Sequence, residues 1–237
     1  MAQVDSSEWQ NSPKRSHADI IEELLEPNGA KIVDVGCGAG KITRLLTEMG
    51  AEVTGIDPGE RQLERARAAT PLGKEKYIEG VAENLPFEDQ SADIVLFFNS
   101  FHHIPQNDLA AAIKEAHRVL RPGGRLYFAE PIADGPQFEM SRLINDETEI
   151  RAFAYNVIKT VPQNGFKAMT EITYITENRH QNFESFKTNS TSINPARDAI
   201  FEKHDQEIRE RFESFSRKEN GQFIFDLPIR GNLFERN

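Results

Sequence analysis

Two rhythms of apolar and polar positions run through this chain. Ile32, Val33 and Val35 form a short apolar run, the pattern of a strand buried on both faces. It breaks into Gly36, Gly38 and Gly40, after which Ile42, Leu45, Leu46 and Met49 recur at helical spacing until Gly50. Ahead of this unit, Ser16 to Asp19 reads as a capping box with Asp in place of Glu. Ile20, Ile21, Leu24 and Leu25 then stripe one helix face, and Pro27-Asn28-Gly29 stops it. A second strand is predicted over Glu52 to Asp57. Pro58-Gly59 turns the chain into a helix over 60–69, with Leu63 and Ala66 inward and Arg61, Arg65 and Arg67 outward. Thr70 to Gly73 is a loop, Lys76 to Gly80 a short third strand, and Asp93 to Asn99 an almost wholly apolar fourth strand. Pro105 is expected to open the next helix, which buries Leu109, Ala112, Ile113, Ala116, Val119 and Leu120. A turn at Arg121-Pro122-Gly123-Gly124 leads to a fifth strand, Arg125 to Glu130.

Beyond residue 131 the pattern weakens. Residues 141–160 read as a helix, Phe166 to Thr176 alternates as a strand, and 195–217 is a charged helix with Ile200, Ile208, Phe212 and Phe215 interleaved. Gln222 to Arg230 is the last predicted strand. Residues 1 to about 13 read as a mobile arm closed by Pro13. The whole is expected to form one domain, residues 1–237.

Composition narrows the class. A chain of 237 residues is long enough for one large core. It contains no apolar run long enough to span a bilayer, and its polar start lacks the apolar centre of a secretory leader. A single cysteine, Cys37, excludes an internal disulfide and fits a reducing, cytoplasmic setting. The net charge of −10 argues against a nucleic-acid partner. The six histidines show no metal-ligand spacing.

The chemistry concentrates at strand tips. A glycine turn between strand and helix lets a ligand press against the main chain, and the helix start offers unpaired N–H groups. The second strand ends in Asp57, an acid placed to bind two ribose hydroxyls. Glycine turn plus ribose acid indicates a nucleoside-bearing cofactor. A dinucleotide fingerprint requires a third glycine where this chain has Lys41, so a pyrophosphate fits less well.

With DVGCGAG (34–40), GID (55–57), AENLPF (82–87), FHHIP (101–105) and RVLRPGG (118–124), the chain resembles the class I S-adenosylmethionine-dependent methyltransferases, in particular the type 11 small-molecule group, over residues 16 to 130. The resemblance implies an α/β, Rossmann-like, seven-stranded and mostly parallel sheet. Helices cover both faces, the last strand is antiparallel, and a helical insertion lies in the C-terminal part. It divides the chain into an arm or lid (1–20), a cofactor-binding core (16–130) and substrate-side helices with a terminal hairpin (131–237). It implies S-adenosylmethionine as methyl donor, S-adenosylhomocysteine as product, and a small-molecule acceptor, with oxygen favoured.

The resemblance also distributes roles. Gly36, Gly38 and Gly40, with Cys37 between them, approach the methionine end by backbone, and Asp34 steadies its ammonium group. Asp57, followed by Pro58, takes the ribose, and Gln62 touches ribose or adenine. Val81 stands where family members often carry a polar adenine contact, which leaves the Ala82 backbone and Glu83 as adenine partners. Asn99 contributes backbone near the methionine portion. Trp9 and His17 are cover residues for the ligand or ordinary packing residues. Cys37 is a packing residue rather than a nucleophile. His102 is the candidate base, with an imidazole suited to accepting a proton at neutral pH and Glu130 to orient it. Its neighbour His103 is the alternative. Two other readings stay open from sequence: a nicotinamide-dependent oxidoreductase, and a non-catalytic cofactor-binding module.

Overall fold

The computed structural model describes residues 9–237, so the expected arm over residues 1–8 lies outside the described residues. The chain divides into two compact units. The larger comprises 17–130, 150–172 and 230–237; the other comprises 131–149 and 173–229 with the segment that precedes residue 17.

Eight helices are present among the described residues: α1 (His17–Leu25), α2 (Lys41–Glu48), α3 (Glu60–Ala68), α4 (Leu109–Val119), α5 (Pro136–Ser141), α6 (Thr148–Ile158), α7 (Phe183–Ile193) and α8 (Arg197–Phe215). The strands are β1 (Lys31–Val35), β2 (Glu52–Asp57), β3 (Lys76–Glu79), β4 (Ala92–Phe98), β5 (Leu120–Pro131), β6 (Phe166–His180), β7 (Arg217–Glu219) and β8 (Gln222–Arg236). They run in the order β3-β2-β1-β4-β5-β8-β6, with β7 paired to β8. The first five are parallel and the last strands antiparallel. This is the expected Rossmann-like α/β sheet, with an eighth strand added. None of the described helices is long and apolar enough to cross a membrane.

In the larger unit, β1 lies between β2 and β4, in registers Val33↔Thr54 and Val33↔Val95. The chain therefore winds outward in both directions from β1, and ligands in such sheets bind off the carboxyl ends at that reversal. Ile94, Val95, Leu96 and Phe97 are all buried, as a strand covered on both faces requires. Phe97 stacks on Phe128 at 5.2 Å, and Phe101 sets its edge against both, at 5.2 and 4.8 Å. Phe101 opens a single 3-10 turn, Phe101–His103, so this aromatic trio anchors the turn that carries the two histidines.

Several boundaries differ from the sequence reading. Pro105 begins a turn, closed by Asp108 N–H on the Pro105 carbonyl, and α4 starts only at Leu109. Residues 121–124 do not separate helix from strand. They form a bulge within β5, where pairing jumps from Ala92↔Leu120 to Ile94↔Arg125. Of the helix expected over 141–160 only α6 forms: residues 142–147 are non-helical, and α5 ends at Ser141.

In the other unit, α7 was not anticipated. Its start is a capping box of Asn182 and Ser185, in which the Asn182 side chain accepts from Ser185 N at 2.8 Å and Ser185 Oγ from Asn182 N at 3.2 Å. The added strand β7 meets β8 through Asn220-Gly221, both at positive φ, the residue pair that favours a two-residue hairpin. The core here is rich in phenylalanine: Phe183, Phe186, Phe201, Phe212 and Phe225 pack with Met140, Ile144 and Ile208. Residues 9–15, expected as part of the arm, are tied down. Trp9 Nε1 donates to Asp134 at 2.9 Å, Ile175 N to Pro13 O, and Arg15 N to Ile175 O.

Phe101 is fully buried against two rings. Phe101→Ala is expected to lower unfolding free energy by about 3–5 kcal/mol. Urea denaturation checks this, and a loss below about 1 kcal/mol would show that the ring does not anchor the turn.

Candidate active site

The site is built at the carboxyl ends of β1, β2, β4 and β5 in the larger unit. After β1 the chain reverses because Gly36 N and Cys37 N both donate to Ile56 O, at 2.7 and 2.9 Å, which pins the turn to β2. Gly36 has φ +77°, and a Cβ there would lie 2.4 Å from Ser100 Cβ; only glycine fits. Gly38 has φ +54°, and a Cβ there would meet nothing within 4 Å, so this part of the turn faces open space. Gly40 closes the turn at the start of α2, with the Tyr77 ring against it.

Asp57 is half-buried at the end of β2, where Oδ2 accepts from Gly38 N at 2.9 Å and Oδ1 from Gly59 N at 2.8 Å. Pro58 beside it is exposed, and Gln62 lies half-buried one turn into α3. Asp34, at the fourth position of β1, is 1% exposed and accepts from Thr43 Oγ1 at 2.6 Å. Burial pushes its carboxyl up to about 6. Burial likewise holds the Cys37 thiol well above its ordinary range, which keeps it protonated and unreactive.

Across from the turn, β4 delivers Asn99 in the left-handed region, φ +54°, a conformation asparagine tolerates. Ser100 is buried and donates through Oγ to Val35 O at 2.6 Å. One oxygen of Glu130, at the end of β5, accepts from Ser100 N at 3.1 Å and Phe101 N at 2.9 Å; the other is hydrogen-bonded to His102 Nδ1. His102 is 4% exposed, whereas His103 faces solvent with its ring 4.0 Å from that of His102.

The hydrogen bonds and close contacts thus gather Asp34, Gly36, Cys37, Gly38 and Asp57 into one group and Asn99, His102 and Glu130 into another, joined where Gly36 meets Ser100. Ala82 is buried in the core and Glu83 half-buried in the loop after β3. The sequence reading missed what holds that loop: Arg118 of α4 donates to Leu85 O and Phe87 O, and Glu115 accepts from Leu85 N. Arg118 stands within RVLRPGG, but motif spacing does not show which loop it reaches. Val81 is exposed and has no polar side-chain atom. His17 packs edge-on against Phe98 at 4.6 Å, and burial lowers its pKa to about 4. The cavity of about 270 Å³ at the amino ends of β1 to β4, flanked by Lys31, Glu52 and Lys76, contains none of the expected site residues.

Residues 33–128 match the family described as methyltransferase domain. The chain is 30% identical over 203 residues to the O-methyltransferase cnsE of Penicillium expansum, covering 78% of this chain and 72% of that protein. The chain belongs to the S-adenosylmethionine-dependent methyltransferases. An uncharacterized methyltransferase of Mycobacterium tuberculosis is 41% identical over 108 residues, 46% of this chain and 42% of that protein. The chain thus spans less than half the length of that relative. A solved S-adenosylmethionine-dependent methyltransferase of Methanosarcina mazei shares the fold, with a TM-score of 0.54 at 19% identity, covering 92% of this chain and 98% of that one. S-adenosylmethionine is accordingly the cofactor, and a nicotinamide dehydrogenase reading falls away with the family match.

Gly36→Ala in this methyltransferase is expected to cost about 2–4 kcal/mol, from the clash with Ser100 and the positive φ together. Gly38→Ala carries only the φ penalty, about 1–2 kcal/mol. Chemical denaturation of both variants checks the order, and equal losses would contradict the contact.

Proposed function

We propose that the chain transfers a methyl group from S-adenosylmethionine to a hydroxyl oxygen of a small molecule, with His102 as base. The observation that carries this reading is the Glu130 carboxylate, which binds two backbone N–H groups through one oxygen and His102 through the other. A carboxylate only accepts, so in the neutral imidazole the proton sits on Nδ1 and the basic atom is Nε2. An alcohol or phenol acceptor must lose its proton as the methyl arrives, and a base held in one orientation supplies that. The relationship to the O-methyltransferase cnsE favours oxygen over nitrogen or carbon.

The residues of the glycine turn fit the cofactor. Asp34 is a buried carboxylate with no ion-pair partner among the described residues, which suits the ammonium group of a methionine tail. Gly38 leaves the turn open where a backbone-hugging ligand needs space. Asp57 presents a carboxylate at the strand tip, suited to ribose hydroxyls. Gln62, Ala82, Glu83 and Asn99 complete the proposed contacts to adenosine and methionine. The bound cofactor supplies a methyl already activated on a sulfonium, so the protein's work is to hold the acceptor in line and take its proton.

Isothermal calorimetry with S-adenosylhomocysteine and a turnover assay over a panel of phenols and alcohols test this reading. Asp57→Ala is expected to weaken binding by about 10- to 100-fold through loss of charge-assisted bonds. His102→Ala is expected to lower kcat by about 10²- to 10⁴-fold with cofactor affinity nearly unchanged. Equal loss of both quantities would remove His102 as the base.

A further inference from the structure

Asp34 meets two donors from one residue. Thr43 gives it the hydroxyl at 2.6 Å and also its backbone N–H, and neither residue is exposed to solvent by more than 1%. Thr43 is the third residue of α2, so its N–H is one of the donors a helix start leaves without an internal partner. The carboxylate of β1 therefore caps the helix that follows it. Room for the hydroxyl comes from Gly55 on β2, where an added Cβ would stand 2.8 Å from both Thr43 Oγ1 and Cys37 Sγ.

Among the described residues, no titratable group that weighs on Asp34 or is weighed on by it brings a positive charge. Asp57 on β2 adds negative charge, Cys37 in the turn is a thiol, and Tyr77 on β3 is a phenol raised in part by Asp34 itself. Burial and Asp57 disfavour the carboxylate; the two Thr43 bonds are what favours it.

We propose that Thr43 is a positioning residue for the cofactor's amino-acid tail, holding the Asp34 carboxylate ionised and oriented to receive the ammonium group. The inference rests on the reading that Asp34 takes that group. Removing the hydroxyl leaves the carboxylate with the backbone donor alone, so its proton is harder to lose. The cation then binds a site that is protonated over more of the neutral range.

The test is calorimetric titration with S-adenosylhomocysteine from pH 5 to 7.5. Wild-type affinity is expected to be lost as pH falls through about 6 and to level off above it. In Thr43→Val the inflection is expected to move up by about one pH unit, which weakens binding about twofold at pH 7 and about tenfold near pH 5. Thr43→Ser is expected to restore the wild-type profile, and Asp34→Asn to bind weakly without the inflection. A merely structural role for Thr43 would lower stability without moving the inflection. If wild-type protein binds and a folded Thr43→Val keeps the wild-type profile, the inference is overturned. If Thr43→Val does not fold, Asp34→Asn decides: a retained inflection near pH 6 overturns it. Failure of wild-type protein to bind S-adenosylhomocysteine would instead overturn the functional reading on which it rests.

Discussion

The candidate site depends on the contact between Ser100 and the glycine turn. Ser100 is buried where the tips of β1, β4 and β5 meet, and all of its polar groups are used. Its hydroxyl reaches the last carbonyl of β1, its N–H reaches Glu130 of β5, and its carbonyl accepts from His103 N. Buried polar groups cost about 1–3 kcal/mol each when left without a partner, so the three bonds are mutually reinforcing. The approach is possible only because residue 36 has no side chain. Two loops that bear different chemistry are thereby held as one rigid platform, one presenting main chain and one presenting imidazole.

Two buried carboxylates on this platform have different surroundings. Glu130 is bonded by two N–H groups and an imidazole, which turns it into a fixed support for a ring. Among the described residues Asp34 is bonded only by Thr43 and has a second acid nearby, which leaves it short of positive charge. The first arrangement suits orientation of a base; the second suits reception of a cation. Residue type is the same in kind at both places, and the donors around it decide what it can do. The Cys37 thiol illustrates the converse: removed from water and set beside Asp34 and Asp57, it is held in the inert protonated form.

The other unit is organised by aromatic packing. Phe212 makes ring contacts with Phe183, Phe186, Phe223 and Phe225 at 4.8 to 5.6 Å, and Arg211 of the same helix bonds the Glu139 carbonyl of α5. Those contacts account for a stable core built mainly from α5, α7 and α8 despite a charged helix surface. The kink of α8 at His204 sits between its buried residues Phe201 and Ile208.

Sequence alone determined the parallel half of the sheet, the glycine turn and the acid at the tip of β2, and the family resemblance added the pairing of His102 with Glu130. It could do so because each rests on local pattern: apolar runs covered on both faces, glycine where the chain must reverse, polar residues at strand ends. Where the register of contact between distant segments decides, local pattern was silent. The approach of Ser100 to Gly36, the two hydrogen bonds of Thr43 to Asp34, and the reach of Arg118 to the loop after β3 join residues from 9 to 64 positions apart. The same holds for the bulge in β5, which only its pairing with β4 reveals, and for the late start of α4 after Pro105. The missed elements α7 and β7 did carry local signals, Asn182 with Ser185 and Asn220-Gly221, but each is short and polar, and its partners supply the burial that makes it stable. Packing chose among what the local chemistry allowed, because hydrogen bonds between distant groups count only once the chain has brought them out of water.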